Sequence, residues 1–230
     1  MKSTRQRAGT IVSIFVLVAL TSLGGIGCGH PHWVTREMQQ LDSAPRTAVV
    51  ASFQDAVSKD ASPLNEGREV TVDVTTEDPI ILIDGARSFF ELFSFRAEEA
   101  RTFRLEIVSK EVEKEMLRGE LTDTRKLGVM IPAVYVLTPD GEVVTDSLTS
   151  LEYEDDAVFK SPRFVATLEH ALPEAGDYFV LVASQPERLG SEVKSELWSF
   201  ATLDEMLDDD DLTRFASPTG KLKVSLAFLR

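Results

Sequence analysis

The chain has 230 residues, 43% hydrophobic and 27% charged, with 38 Asp and Glu against 24 Lys and Arg and a formal net charge of −14. So acidic a surface repels nucleic acid and anionic head groups, which need a basic footprint, and nucleic-acid binding is excluded on that ground. The single cysteine, Cys28, leaves no partner for an internal disulfide, and the length allows one sandwich-sized domain plus a leader.

Lys2, Arg5 and Arg7 precede an acid-free apolar run from Ile11 to Leu20, and small residues lead through Leu23-Gly24-Gly25-Ile26-Gly27 to Cys28. A basic start, a short apolar stretch and small residues before a cut site predict a secretory signal over residues 1–27. Because it ends on a cysteine, the segment resembles the bacterial lipoprotein signal. There the cysteine is diacylated, cleavage precedes it, and its new amine is acylated. Gly27 and Ile26 suit that pattern, and Gly25 stands where leucine is usual. An uncleaved anchor is the second reading, but the run falls short of the roughly 20 apolar residues a span needs. Ordinary signal cleavage with Cys28 as a bystander is the third. All three place the body outside the cytoplasm. Lipid on Cys28 would make the membrane a partner and hold the protein on its periplasmic face, the outer membrane favoured. Cleavage would remove three basic and no acidic residues, taking the net charge from −14 to −17.

Residues 28–68 read as a tether with one docked piece. Thr35 to Leu41 predicts a short helix with Thr35 as its N-cap, and Thr47 to Val57 is apolar enough to pack onto a domain. Asp60 to Gly67 has the composition of a loop. From Glu69 the period changes to two: Val70, Val72 and Val74 alternate with polar residues, a half-buried strand. The turn Glu77-Asp78-Pro79 leads into Ile80 to Ile83, Asp84-Gly85 is a hairpin turn, and Phe89 to Arg96 follows. Thr102 to Ser109 alternates most clearly, with Phe103, Leu105 and Ile107 inward.

Lys110 to Val129 breaks the rhythm. Glu111 to Arg118 predicts two helical turns within an insertion. Ala133 to Leu137 is a strand, Thr138-Pro139-Asp140-Gly141 a turn in which proline fixes φ and glycine accepts a positive one, and Glu142 to Asp146 the returning strand. Ser147 to Ser161 reads as a polar connection. Arg163 to Leu168 and Tyr178 to Ser184 are strands, the second apolar on both faces: Tyr178, Val180 and Val182 on one, Phe179, Leu181 and Ala183 on the other. That is a central strand covered on both sides. Gln185 to Pro218 is polar, with a short helix near Leu203 to Leu207, and Leu222, Val224, Leu226 and Phe228 alternate in a closing strand. Eight or nine strands and no α/β alternation predict an all-β fold over residues 69–230: an antiparallel β-sandwich, jelly-roll or immunoglobulin-like, with short helical insertions.

Chemistry is sparse. His30 and His32 lie beside the proposed lipid, and tether histidines are commonly polar filler. His170, the body's only histidine, follows Glu169 at a strand end and reads as a solvent-facing turn residue. Without cysteine in the domain, Cys–His catalysis and a zinc site of nitrogen and sulfur ligands are excluded. A Ser–His–Asp triad would need His170, and no Gly-x-Ser-x-Gly elbow accompanies it. The acidic runs Glu152 to Asp156 and Asp208 to Asp211 could ligate Ca²⁺, but neither has a spaced calcium loop, and a solvated charge run is the better reading. No catalytic, metal or cofactor residues are assigned, and the protein is expected not to be an enzyme. If a sugar is bound, Trp198 and Tyr153 are the candidate contacts, both read as lying in polar connections, where an edge plug of the core is the competing role.

From about Glu69 to Leu229 the order of elements resembles the maltose-operon periplasmic protein family. The residues that carry the likeness are Ile131-Pro132-Ala133-Val134-Tyr135-Val136-Leu137 with Asp140, Arg163 to Leu172 leading to Tyr178-Phe179-Val180-Leu181-Val182, and Thr219-Gly220-Lys221-Leu222-Lys223-Val224, with Met38-Gln39-Gln40-Leu41 in the leader. The same strand pair resembles the bacterial pre-peptidase C-terminal sandwich domain. The first resemblance implies an exported β-protein linked to carbohydrate uptake, with no catalytic residues to carry over. The expected function is that of a non-catalytic accessory lipoprotein in maltose or maltodextrin-type transport, acting through a transport-protein partner or an oligosaccharide. The alternative is a structural or interaction lipoprotein of the envelope with no sugar role.

Overall fold

The computed structural model describes residues 31–118, 123–154, 163–193 and 212–229. The sequence expectations on Cys28, His30, Trp198, Asp155–Asp156, the helix near Leu203 and the run Asp208–Asp211 lie outside them. No described helix is long and apolar enough to cross a membrane.

The leader carries α1 (His32–Ser43), a 3-10 turn (Arg46–Ala48), β1 (Val49–Val50), α2 (Phe53–Val57) and β2 (Ser62–Pro63). α1 begins three residues earlier than Thr35, because Trp33 and Val34 are buried and draw the first turn onto the body. Pro31 sits at its N-cap with no side-chain cap, and Thr35 lies inside the helix, its hydroxyl donating to the Pro31 carbonyl at 3.4 Å. α2 is capped by Ser52, whose oxygen accepts from the Asp55 N–H at 3.1 Å.

Thirteen further strands follow: β3 (Glu69–Val74), β4 (Ile80–Ile83), β5 (Ala86–Ala97), β6 (Thr102–Lys110), β7 (Val112–Arg118), β8 (Asp123–Val129), β9 (Pro132–Leu137), β10 (Val143–Thr145), β11 (Ser150–Glu154), β12 (Arg163–Ala171), β13 (Gly176–Ser184), β14 (Leu212–Ala216) and β15 (Gly220–Phe228). They form two facing sheets. The first runs β1-β4-β5-β13-β9-β10, with β2 against β5, and the second runs β11-β12-β6-β15-β3. A third sheet, β14-β8-β7, adds to this sandwich. The expected all-β antiparallel sandwich is thus the fold. The described pairs that run parallel are β1–β4, β2–β5 and β14–β8.

The main core lies between the facing sheets. Phe89, Phe93, Phe95, Val134, Val136, Tyr178, Val180 and Val182 come from the first; Phe103, Leu105, Ile107, Ala166, Leu168, Leu222, Val224 and Leu226 come from the second. A strand pleat sends alternate residues to opposite faces. The other face of the first sheet therefore presents Ile81, Phe90, Leu92, Leu137, Leu181 and Ala183, and the leader covers it with Val50, Phe53 and Ala56. Val180 and Leu181 are each fully buried, one in each layer.

Three stretches differ from the sequence reading. Glu111 to Arg118, rich in helix formers, is strand β7, because it pairs antiparallel with β8, and Glu115 stands opposite Lys126. Tertiary pairing overrides helix propensity there. The polar connection after Asp146 contains β11, which extends the ladder of β12 at a sheet edge, where few apolar residues are required. The segment before Pro218 contains β14, whose Phe215 is buried against Trp33 and Val34 of α1.

Candidate functional site

A cleft of about 660 Å³ lies at one end of the first sheet. Its apolar parts are Ile83, Ala86, Ala133, Val134 and Leu148, with Tyr135 among them; Asp84, Asp146, Gln185 and Glu187 supply the polar groups. Tyr135 lies on the face of β9 opposite Val134 and Val136, paired with Leu181 of β13. Its half-buried ring is tilted against Phe53 of α2, with centroids 4.9 Å apart.

Local sequence explains why these groups converge. Asp84-Gly85 closes the β4–β5 hairpin with φ of 50° and 84°, the left-handed pair that an Asp-Gly turn supports. This sets Asp84 at one side of the cleft. Gln185 leaves β13 and is pinned twice: its N–H donates to the Ile131 carbonyl at 2.9 Å and its Nε2 to the Pro132 carbonyl at 3.2 Å. A 3-10 turn (Pro186–Arg188) then carries Glu187 along the rim. The buried hydroxyls of Ser88 and Ser184 lie 2.7 Å apart, and the Ser184 N–H donates to Ser88 Oγ at 2.9 Å, fastening the start of β5 to the end of β13.

The electrostatics of the cleft are one-sided. Burial pushes the Tyr135 hydroxyl above its usual range, and the charges of Asp84, Asp146 and Glu187, in that order, push it the same way. Those three carboxylates have no cationic partner among the described residues, and Tyr135 makes no hydrogen bond there. The nearby Arg87 is occupied: its Nη1 bonds the carbonyls of Leu41, Asp42 and Ala44 at 2.8, 2.7 and 3.0 Å, capping the C-terminal end of α1. A second hollow of about 230 Å³ continues from the cleft, sharing Ala86 and Pro186 with it and bordered by Met38, Leu41 and Asp42 of α1.

Two other polar constellations are structural in form. Glu37 of α1 accepts from Lys114 Nζ, Ser217 Oγ and Thr219 Oγ1, each at 3.1 Å, and Lys114 also donates to Thr219 at 2.7 Å and lies over the Trp33 ring. With side chains only 13% and 17% exposed, the Glu37–Lys114 pair is a clamp between α1, β7 and the start of β15. Glu91 shares the core face of β5 with Phe89 and Phe93, where the flanking strand changes from β4 to β2. Burial first, and Asp78 second, raise its carboxyl from the usual 4.5 to about 7.

The residues singled out from sequence do not meet in the cleft. Tyr153 is in strand β11, opposite Phe164, rather than in a polar connection, since the acidic stretch around it supplies an edge strand. His170 is a half-buried residue of β12 opposite Phe103 rather than a turn residue, because the strand continues to Ala171. Trp198 is outside the described residues. From sequence, Tyr135, Asp84 and Asp146 are strand or turn positions and Glu187 is part of the polar stretch after Ser184. The usable signal was a tyrosine whose hydroxyl a fully apolar layer could not satisfy.

No family model matches the chain, and no curated protein matches it, so the likeness to maltose-operon proteins rests on the motifs quoted above. Among solved structures the chain is similar to the pre-peptidase C-terminal domain of a collagenase from Bacillus anthracis, at 6% identity and a TM-score of 0.32, over 73% of this chain and 95% of that one. It is also similar to CorA, a surface-associated copper-binding protein of Methylomicrobium album BG8, at 8% identity and a TM-score of 0.33, over 78% of this chain and all of that one. Both are distant structural similarities.

Proposed function

We propose that this protein is an exported, non-catalytic accessory protein of the cell envelope, held by lipid on Cys28 at the periplasmic face of a membrane. It works by binding a ligand in the Tyr135 cleft. The cleft carries the reading: a preformed hollow with an aromatic ring, an apolar lining and a few convergent polar groups is the usual form of a binding site. The absence of cysteine from residues 69–230 and the placement of their one histidine on β12 opposite Phe103 favour binding over turnover. The resemblance noted in the sequence points to carbohydrate transport, which makes a sugar the first ligand to test. The competing reading is an envelope protein that docks a partner without a sugar role; the uncompensated carboxylates of the cleft favour it.

The test is calorimetric titration of the detergent-solubilised full chain with maltotriose and maltoheptaose, with Tyr135→Ala as control and chromatography of the sugar afterwards. One stacked ring and a few hydrogen bonds give a Kd of about 1 mM. Saturable heat lost in Tyr135→Ala supports the sugar form. Shortened sugars refute the non-catalytic claim. Absence of heat leaves the docking form, which predicts a co-purifying envelope protein that Tyr135→Ala no longer retains. If neither sugar nor partner depends on Tyr135, the cleft is not the binding site.

A further inference from the structure

We propose that the Tyr135 cleft selects a ligand bearing an organic cation, an alkyl guanidinium or ammonium group, over a neutral polyol. This rests on the reading of the cleft as the binding site and names the class of its ligand.

The cleft joins a half-buried tyrosine to three carboxylates on three separate segments: the β4–β5 turn, the residue after β10, and the 3-10 turn after β13. Asp84, Asp146 and Glu187 are exposed at the rim of the cleft, and a neutral ligand would leave their summed negative charge unanswered. A cation answers that charge and meets Tyr135 as well, since aromatic rings attract guanidinium and ammonium groups. No described cation pairs with these carboxylates. Arg87, on the adjoining hollow, is held by three backbone carbonyls at the end of α1.

A bare metal ion fits less well. Among the described residues, no three carboxylate, imidazole or thiol groups come close enough together to hold one. The carboxylates instead surround a space of about 660 Å³, the scale of a side chain or a small amine with its apolar stem, and the lining residues Ile83, Ala133 and Leu148 suit such a stem. The adjoining hollow along Met38 and Leu41 gives an extended ligand somewhere to continue.

The experiment titrates the full chain in detergent with agmatine, acetyl-Gly-Arg-Gly-amide, maltotriose and CaCl₂, following heat. Saturable binding of a guanidinium probe is expected in the millimolar range or tighter. It should weaken at least tenfold in Asp146→Asn/Glu187→Gln, weaken as NaCl rises from about 0.05 to 0.5 M, and survive Tyr135→Phe better than Tyr135→Ala. Agmatine binding as tightly as the tripeptide identifies a small free amine as the ligand source. A tripeptide at least tenfold tighter identifies an Arg or Lys side chain of a protein partner. Maltotriose binding with no response to either guanidinium probe overturns the cation selectivity while leaving the cleft as the site. Calcium binding that the double variant abolishes, without guanidinium binding, overturns it in favour of a metal. Silence from all four probes overturns it as well, and partner capture by wild type but not by Tyr135→Ala then decides separately whether the cleft binds anything.

Discussion

Replacing Glu91 by Gln should stabilise the protein only above mildly acidic pH. The folded carboxyl titrates at about 7, against a usual 4.5, because Phe89 and Phe93 flank it on the core face and Asp78 adds like charge. Folding therefore favours the protonated form. The contribution of Glu91 to stability is fully present below pH 4.5 and is lost as pH rises to about 7. At about 1.4 kcal/mol per pKa unit the ceiling of that loss is about 3 kcal/mol; the carboxyl is only half-buried, and solvent screening brings it to about 1–2 kcal/mol. Glutamine keeps the shape and cannot ionise. In urea unfolding of the chain lacking residues 1–27, measured from pH 4 to 8, the stability of Glu91→Gln minus that of wild type should rise by about 1–2 kcal/mol across pH 4.5–7 and then level off. Other carboxylates titrate in both proteins and drop out of the difference. A difference that stays flat over this range would show that Glu91 ionises as in water, and the assignment of its side chain to the core face would fall.

Val180→Asp places a charge in the layer between the sheets and should cost about 4 kcal/mol or more, enough to unfold a marginal domain; a near-native urea midpoint would refute the sandwich. Glu37→Gln leaves Lys114 without its carboxylate and should cost about 2–3 kcal/mol, with faster proteolysis within α1 as a second readout. Gly141 has φ 80°, and a Cβ there would collide with the backbone of Gln54 and lie 2.8 Å from the Phe53 carbonyl carbon, so Gly141→Ala should destabilise by about 2 kcal/mol or more and loosen α2 in hydrogen exchange. Cys28→Ser should abolish labelling by radioactive fatty acid and leave a longer precursor; wild type that takes up no label refutes the anchor.

Legibility tracked burial. β6 and β15 alternate without interruption because one face of each meets the core, and Phe103, Leu105, Ile107, Leu222 and Val224 are all fully buried. β13 was legible as central for the opposite reason: both its faces are covered, so no polar residue interrupts it between Tyr178 and Ala183. The segments that escaped are those whose ladders carry the structure while their side chains carry little apolar signal. β7 pairs with β8 through residues such as Glu115 and Lys126, and β11 closes a sheet edge with Glu152 and Glu154. The cleft escaped for a different reason. Its members stand at positions 84, 135, 146 and 187, and the pairing of β9 with β13, together with the β4–β5 hairpin, brings them to one end of a sheet. Tyr153 and Trp198 stand out in the sequence instead, because an aromatic residue among polar neighbours contrasts with its surroundings and Tyr135 does not.

The leader packs beside the cleft on two sides. Without it, the outer face of the first sheet would present Ile81, Phe90, Leu92, Leu137 and Leu181 as one apolar surface, the kind that aggregates or binds indiscriminately. Val50, Phe53 and Ala56 cover this surface but stop at Tyr135, whose ring packs on Phe53 and whose hydroxyl is left at the cleft. At the other side, α1 is fixed by Glu37 to Lys114 and by Arg87 to the carbonyls at its end, and this same helix borders the hollow that extends the cleft. The cleft therefore lies beside the boundary at which the covering segment ends. A ligand that contacts both Tyr135 and α1 would respond to any displacement of the leader, since displacement of Phe53 removes the support of the ring and displacement of α1 opens the hollow. The strength of the Glu37 and Arg87 contacts decides how far a movement of the leader reaches the cleft.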